Sequence, residues 1–95
     1  MKTKIDLKEC SLEVFEYFLD DHFKDGKVLL GRNIPNPFLS YKQKTPSFNI
    51  LQAPDGNHIY HDFATGDTGN CVSFVARLKG VDRIKAIQII RKITK

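Results

Sequence analysis

Apolar residues recur at helical spacing near the start of the chain. They are three or four positions apart: Leu12, Phe15, Leu19 and Phe23, with Phe18 alongside. This spacing places them on one side of a helix, as is typical of a helix packed against a core. Ser11 offers a side-chain oxygen for the N-cap, and Asp25-Gly26 is a turn signal. We therefore expect a first helix from Leu12 to about Phe23.

The middle of the chain contains short apolar runs separated by turn signals, which favours β-strands. We expect a first strand over Lys27–Arg32 and a second that begins at Pro46, because proline cannot donate a ladder hydrogen bond within a strand. Phe48 and Ile50 would share one face of that second strand. Asp55-Gly56 predicts the turn of a hairpin. On the return strand Tyr60 and Asp62 share one face, whereas Ile59, His61 and Phe63 share the other.

The last third of the chain predicts two helices. Gly66 and Gly69 permit turns, and Asn70 is a suitable N-cap for a helix that begins near Cys71 and ends at Gly80. Asp82 then caps a helix from Arg83 to Ile93. Its expected apolar face consists of Ile84, Ala86, Ile87, Ile89, Ile90 and Ile93. The predicted fold class is α+β, with a small three-stranded antiparallel sheet, one helix before it and two after.

Length and composition favour one small domain over residues 1–95. No apolar run approaches the roughly 20 residues of a membrane span, and no signal-peptide pattern opens the chain. Cys10 and Cys71, the two cysteines, give no disulfide framework. These features lead us to expect a cytoplasmic protein without membrane contact.

The charge of the chain is distributed unevenly. Residues 1–26 contain four Lys and seven Asp or Glu, a balance of −3, whereas residues 27–95 contain eleven Lys or Arg and four Asp, a balance of +7. The net charge of +4 therefore hides a basic second part. A basic surface suits a polyanionic partner such as nucleic acid, although basic side chains also keep small domains in solution.

Residues 36–74 carry a family resemblance. Pro37-Phe38 and the run Lys44-Thr45-Pro46-Ser47-Phe48 match motifs of the N-terminal zinc-binding domain of bacterial and phage DNA primases. Further matches are Tyr60, Phe63, Gly66, Gly69, Ser73 and Phe74. The chain resembles that family over roughly residues 5–93. The resemblance implies a zinc-ribbon-like module.

The positions that hold zinc ligands in that family are occupied here by Asn36, Leu39, Asp62 and Thr65. Structural zinc requires four ligands, usually Cys or His, in a tetrahedron, so we expect neither a metal nor another cofactor. Packing and hydrogen bonds must then replace the metal. We expect Leu39 to bury carbon at the former site, with Asp62 and Thr65 hydrogen-bonded across it.

Catalytic chemistry is not indicated by the residues. No Ser or Cys is placed beside a base with a third group to orient it, and the carboxylates of the basic part read mostly as turn or cap residues. In primases the polymerising chemistry resides in a separate domain. We therefore expect a module that is not an enzyme.

The leading hypothesis is binding of single-stranded DNA, with RNA as the alternative strand. Such binding combines aromatic faces for base stacking with a basic groove that follows the phosphates. The candidate residues are Arg32, Tyr41, Lys42, Lys44, Tyr60, His61, Arg77 and Lys79. We expect Phe63 in the core, while Tyr60 fits either the core or a stacking surface.

The resemblance further implies an accessory role in DNA replication or primer synthesis of a phage or mobile element. A replicative helicase or a primase polymerase subunit would be the protein partner. The competing hypothesis is a protein–protein interaction or structural module that retains the fold without binding DNA. The missing ligands and the acidic first helix motivate it.

Overall fold

The computed structural model describes residues 7–39, 41 and 43–94. Helix α1 spans Leu7–Leu19 and runs into a single 3-10 turn, Asp20–His22. Strands β1 (Phe48–Gln52), β2 (His58–Asp62) and β3 (Thr68–Gly69) follow. Helices α2 (Cys71–Lys79) and α3 (Arg83–Thr94) complete the described chain. The predicted α+β class is confirmed: one helix, a three-stranded antiparallel sheet and two further helices.

The sheet is built on the predicted hairpin. β1 pairs antiparallel with β2, so that Phe48 lies opposite Asp62 and Ile50 lies opposite Tyr60. The connection turns at Gly56, whose φ of 93° is one that residues with a Cβ rarely adopt. The Gly56 N–H donates to the Ala53 carbonyl at 2.9 Å. The turn predicted at Asp55-Gly56 is therefore confirmed.

The expected strand over Lys27–Arg32 is wrong. Gly31 has a φ of 80°, and the Arg32 N–H donates to the Leu29 carbonyl, so the chain turns here instead of extending. Only the end of this segment reaches the sheet: Gly31 donates to the Ile50 carbonyl, and Ile34 forms an isolated antiparallel bridge with Phe48. The segment thus partly covers the outer edge of β1.

The third strand is instead β3, which pairs with the opposite edge of β2. Tyr60 lies opposite Gly69, and His61 lies opposite Thr68, whose hydroxyl donates to the Tyr60 carbonyl at 2.8 Å. A Cβ added at Gly69 would stand 2.9 Å from the Tyr60 ring. Glycine at this position therefore lets the chain lie directly against a core side chain.

Helix α1 begins five residues earlier than predicted, so Ser11 lies within the helix and does not cap it. The preceding residues contain neither Gly nor Pro, and nothing in their sequence stops the helix at Ser11. The helix also ends sooner, because Phe23 adopts an extended conformation after the 3-10 turn. The predicted stripe nevertheless faces the core: Phe15, Leu19 and Phe23 are buried there.

The core lies between the inner face of the sheet and the three helices. Phe48, Ile50 and Tyr60 supply the sheet side, and Phe15, Phe74, Val75 and Ile90 are among the buried helical residues. Aromatic rings fill its centre: the Phe48 and Tyr60 rings stack at 5.5 Å between centroids, and the Phe15 and Phe74 centroids are 4.9 Å apart.

The two C-terminal helices begin and end largely as predicted. The Asn70 side chain accepts from the Ser73 N–H, Gly80 is a left-handed C-cap, and Asp82 accepts from the Lys85 N–H. The exception is Ile84, which was expected on the apolar face of α3 but is 70% exposed. It lies in the first turn of α3, whereas the buried residues Ala86 and Ile90 lie further along.

No helix in the described ranges combines the length and the apolar character that crossing a membrane requires.

Candidate nucleic-acid interface

The outer face of β2 presents two neighbouring rings. His61 is half-buried, and Phe63, just beyond the strand, is 63% exposed. Their ring centroids are 4.8 Å apart in an edge-to-face arrangement. The expectation that Phe63 belongs to the core is therefore wrong. The alternation did place it opposite the Tyr60 and Asp62 face, and that parity was the signal for its exposure.

Tyr60 lies in the core. It is only 1% exposed, and its ring contacts those of Phe38, Phe48 and Phe74. Both ring faces are therefore enclosed by protein. Of the two alternatives for this residue, the structure places it in the packing role.

Arg77 is held by the residues around it. Its guanidinium donates to the Tyr60 hydroxyl at 3.4 Å, forms an ion pair with Asp67 and lies 4.2 Å from the Phe38 ring centroid. The hydrogen bonds to the Tyr60 hydroxyl and to Asp67 raise the pKa of Arg77. This side chain therefore links α2 to the loop before β3.

Lys79 and Tyr41 are both placed near Phe18 of α1. Lys79 is two residues beyond Arg77, which is about 200° around a helix, and its Nζ lies 5.3 Å from the Phe18 ring centroid on α1. Tyr41 is 66% exposed and lines a groove with Phe18 and Leu78. Lys79 therefore lies against α1, and Tyr41 lies in a groove between the Pro-rich loop and the helices.

The remaining predicted cations lie in loops. Arg32 is exposed next to the outer edge of β1, and Lys44 is exposed in the loop that leads to Ser47. The Ser47 carbonyl accepts from the Phe63 N–H at 2.9 Å, which joins this loop to the end of β2. Lys42 lies outside the described residues.

A buried carboxylate ties the loops together at this same end of the sheet. Asp62 is 1% exposed, and its Oδ1 accepts from the Ser47 hydroxyl at 2.9 Å and from the Ala64 and Thr65 N–H groups at 2.8 and 3.2 Å. Its Oδ2 accepts from the Asn36 side-chain amide. We call this set of contacts the Asp62 network.

Gln43 extends the Asp62 network. Its amide nitrogen donates to the Ser47 hydroxyl at 3.1 Å, while its oxygen accepts from the Asn36 N–H at 2.8 Å. Both residues that contact Asp62 from the Pro-rich loop are thus fixed by one further side chain. The roles of Gln43 and Ser47 were missed from the sequence, because neither lies at a position assigned to a zinc ligand.

Three of the four positions assigned to ligands by the resemblance therefore meet, through hydrogen bonds rather than apolar packing. Asn36 and the Thr65 N–H both donate to Asp62. The Thr65 bond comes from the backbone three residues along the chain, whereas its hydroxyl accepts from the Asp67 N–H, so the expected bond across the site is formed by Asn36 instead. Leu39 is only half-buried and lines the groove that contains Tyr41. The polar network, not a buried leucine, occupies the centre of this region.

Metal-binding capacity is limited in the described part of the chain. There, no group of three or more His, Cys, Asp or Glu side chains is placed to hold an ion. The oxygens of Asp62 are already directed at four protein donors. The arrangement around Asp62 is suited to holding loops in place.

Comparison with protein-family models, curated proteins and solved structures gives no match to this chain.

Proposed function

We propose that this protein is a non-catalytic cytoplasmic module that binds single-stranded DNA, in support of replication or primer synthesis in a phage or mobile element. The observation that carries the proposal is the exposed ring of Phe63 beside His61 on the outer face of the sheet. Exposed rings give bases a surface on which to stack, largely without regard to sequence.

Cations near these rings support the proposal. Lys44 is three residues from Ser47, whose carbonyl accepts from the Phe63 N–H, so the backbone at Lys44 lies within roughly 10 Å of that contact. Arg32 follows Gly31, which donates to Ile50 of β1, the strand paired with β2. The proposed contact set is therefore Phe63 and His61 for bases, with Lys44 and Arg32 for phosphates.

This set is narrower than the one expected from the sequence. Tyr60 is enclosed, and Arg77 is held by Asp67 and Phe38. Lys79 lies over the Phe18 ring of α1, and Tyr41 lines a groove with Phe18 and Leu78. The basic balance of residues 27–95 and the resemblance to the primase zinc-binding domain add further support to a nucleic-acid role.

Replacing Phe63 by Ala tests the proposal. We expect the variant to bind a labelled 15-nucleotide single strand roughly fivefold to 150-fold more weakly, because one lost base–aromatic stack costs about 1–3 kcal/mol. Fluorescence anisotropy at low and moderate salt measures the affinity. Binding should weaken as salt rises, because phosphate contacts release counterions.

Tyr17→Ala is the matched control. Tyr17 is 60% exposed and lies edge-on to a neighbouring ring, Phe18, at 4.9 Å, much as Phe63 lies against His61. We expect this variant to bind the strand as the unchanged protein does. Equal losses in both variants, or no salt-dependent binding at high micromolar protein, would overturn the proposal.

A second candidate, a protein-interaction module, is favoured by the groove that Tyr41 lines between the Pro-rich loop and the helices. This groove is about 860 Å³ in volume and is lined by Phe18, Asp21, His22, Pro35, Pro37, Leu39, Tyr41, Pro46 and Leu78. Concave, largely apolar surfaces of this size are common binding sites. Nuclease-resistant co-purification of a replicative helicase or primase polymerase subunit, lost on Tyr41→Ala, would support this candidate.

A further inference from the structure

A second, smaller groove lies between α1, the end of α2 and α3. Its volume is about 290 Å³, and it is lined by Tyr17, Phe18, Lys79, Ile89, Lys92 and Ile93. Four of these six side chains are aromatic or aliphatic. Phe18 also lines the larger groove, so the two grooves adjoin at this residue.

The charged groups that line this smaller groove are both positive. Lys79 lies with its ammonium over the Phe18 ring, and Lys92 is exposed in the last turn of α3. None of the six lining residues is acidic. Cations in the last turn of a helix also interact favourably with the helix dipole, but that interaction requires no open apolar floor. The combination of an apolar floor and two ammonium groups is what a ligand would recognise.

We propose that this smaller groove binds an acidic peptide segment that carries one aromatic or large aliphatic anchor. The volume suits a single large side chain, and carboxylates on either side of it would meet Lys79 and Lys92. Amphipathic segments are commonly recognised in this way, by an apolar anchor in a groove with complementary charge around it. The site goes beyond the nucleic-acid proposal and does not depend on it.

The probe is a seven-residue peptide, Glu-Asp-Asp-Phe-Asp-Asp-Glu, added to 15N-labelled protein. We expect NMR shift changes confined to the groove residues and a dissociation constant of about 1 mM or tighter. Replacing the central Phe by Gly in the peptide should abolish the changes. Replacing its acidic residues by Lys should abolish them too.

Lys92→Glu in the protein should weaken peptide binding at least fivefold, because it places a carboxylate where the acidic peptide needs a cation. Arg83→Glu is the matched control, since it makes the same charge change on α3 about 180° away around the helix. We expect Arg83→Glu to bind the peptide as the unchanged protein does. Equal weakening by both variants would mean that only net charge matters and would overturn the site.

Testing each variant against both ligands distinguishes the peptide site from the nucleic-acid surface. Tyr17→Ala should weaken binding of the peptide and leave binding of the oligonucleotide unchanged. Phe63→Ala should weaken binding of the oligonucleotide and leave binding of the peptide unchanged. The peptide site is overturned by an absence of shifts at roughly 5 mM peptide, several times the expected dissociation constant. It is also overturned if the oligonucleotide displaces the peptide, or if sedimentation shows that a second copy of the chain fills the groove.

Discussion

At the scale of single residues, Asp62 holds the surrounding loops together through hydrogen bonds to its carboxylate. Burial alone would raise its pKa, but hydrogen bonds from Asn36, Ser47 and the Ala64 and Thr65 N–H groups outweigh that effect and lower the pKa below its usual value. The charged form is therefore the one that fits the folded protein. Its contribution to stability is present above the pKa of the unfolded chain, about 3.9, and is lost as pH falls through the lower folded value.

The Asp62→Asn variant tests how much the charged carboxylate contributes to stability. We expect the free energy of unfolding at pH 7 to fall by about 1–3 kcal/mol, because an NH2 group replaces one accepting oxygen among buried donors. Urea unfolding measures the change, with the exposed Asp21→Asn as control. The gap between the Asp62 variant and the unchanged protein should narrow below about pH 4, where the Asp62 carboxylate takes up a proton in the unfolded chain but stays charged in the folded protein. A gap that stays constant down to pH 2 would contradict the charged network.

For single residues, the sequence predicts the face of a strand on which a side chain lies better than it predicts which residues that side chain contacts. The alternation along β2 correctly separates Tyr60 and Asp62 from His61 and Phe63. Phe63 lies one position past the strand, and its exposure was missed although it shares the parity of His61. The Gln43 and Ser47 contacts join residues 4 to 15 positions apart, which local pattern cannot reveal.

At the scale of elements, chemistry that acts within a few residues was predictable. The caps at Asn70, Gly80 and Asp82 are each local hydrogen-bonding arrangements, and all three are confirmed. Strands depend on distant partners instead. Lys27–Arg32 contains a strand-like apolar run, Val28 to Leu30, but turns at Gly31, whereas the two residues of β3 are too few to show any pattern.

Gly69→Ala tests the close approach of β3 to β2. The new Cβ would stand 2.9 Å from Cε2 of the Tyr60 ring and 3.1 Å from the Ser73 Cβ. Tyr60 is enclosed by other rings and cannot move aside without disturbing them. We expect a loss of about 1–3 kcal/mol in unfolding free energy, measured by chemical denaturation. A loss below about 0.5 kcal/mol would mean that β3 shifts freely.

At the scale of the whole molecule, the two proposed surfaces lie on different sides of one core. The outer face of the sheet presents Phe63 and His61, while the helical side presents the smaller groove with its two lysines. The sequence indicates that the second part of the chain is basic, but it does not show how the cations are distributed between surfaces. Arg77 and Lys79 are near neighbours in the chain, and their side chains point in different directions only once α2 forms.

Stability of the whole domain should not depend on a metal. The loops that the resemblance assigns to a zinc site are joined by the Asp62 network. We expect excess EDTA to leave the Tm unchanged when unfolding is followed by circular dichroism. A fall of more than about 4 °C, which corresponds to roughly 1 kcal/mol for a domain of this size, would contradict this.

Each edge of the sheet is either short or partly hydrogen-bonded to another segment. Gly31 and Ile34 bond to β1 on one side, and β3 adds only two residues on the other. Long unpaired strands are the usual starting point for edge-to-edge aggregation and amyloid-like stacking. This protein therefore offers little backbone for such growth, and concentrated samples should stay dispersed for as long as the fold is intact.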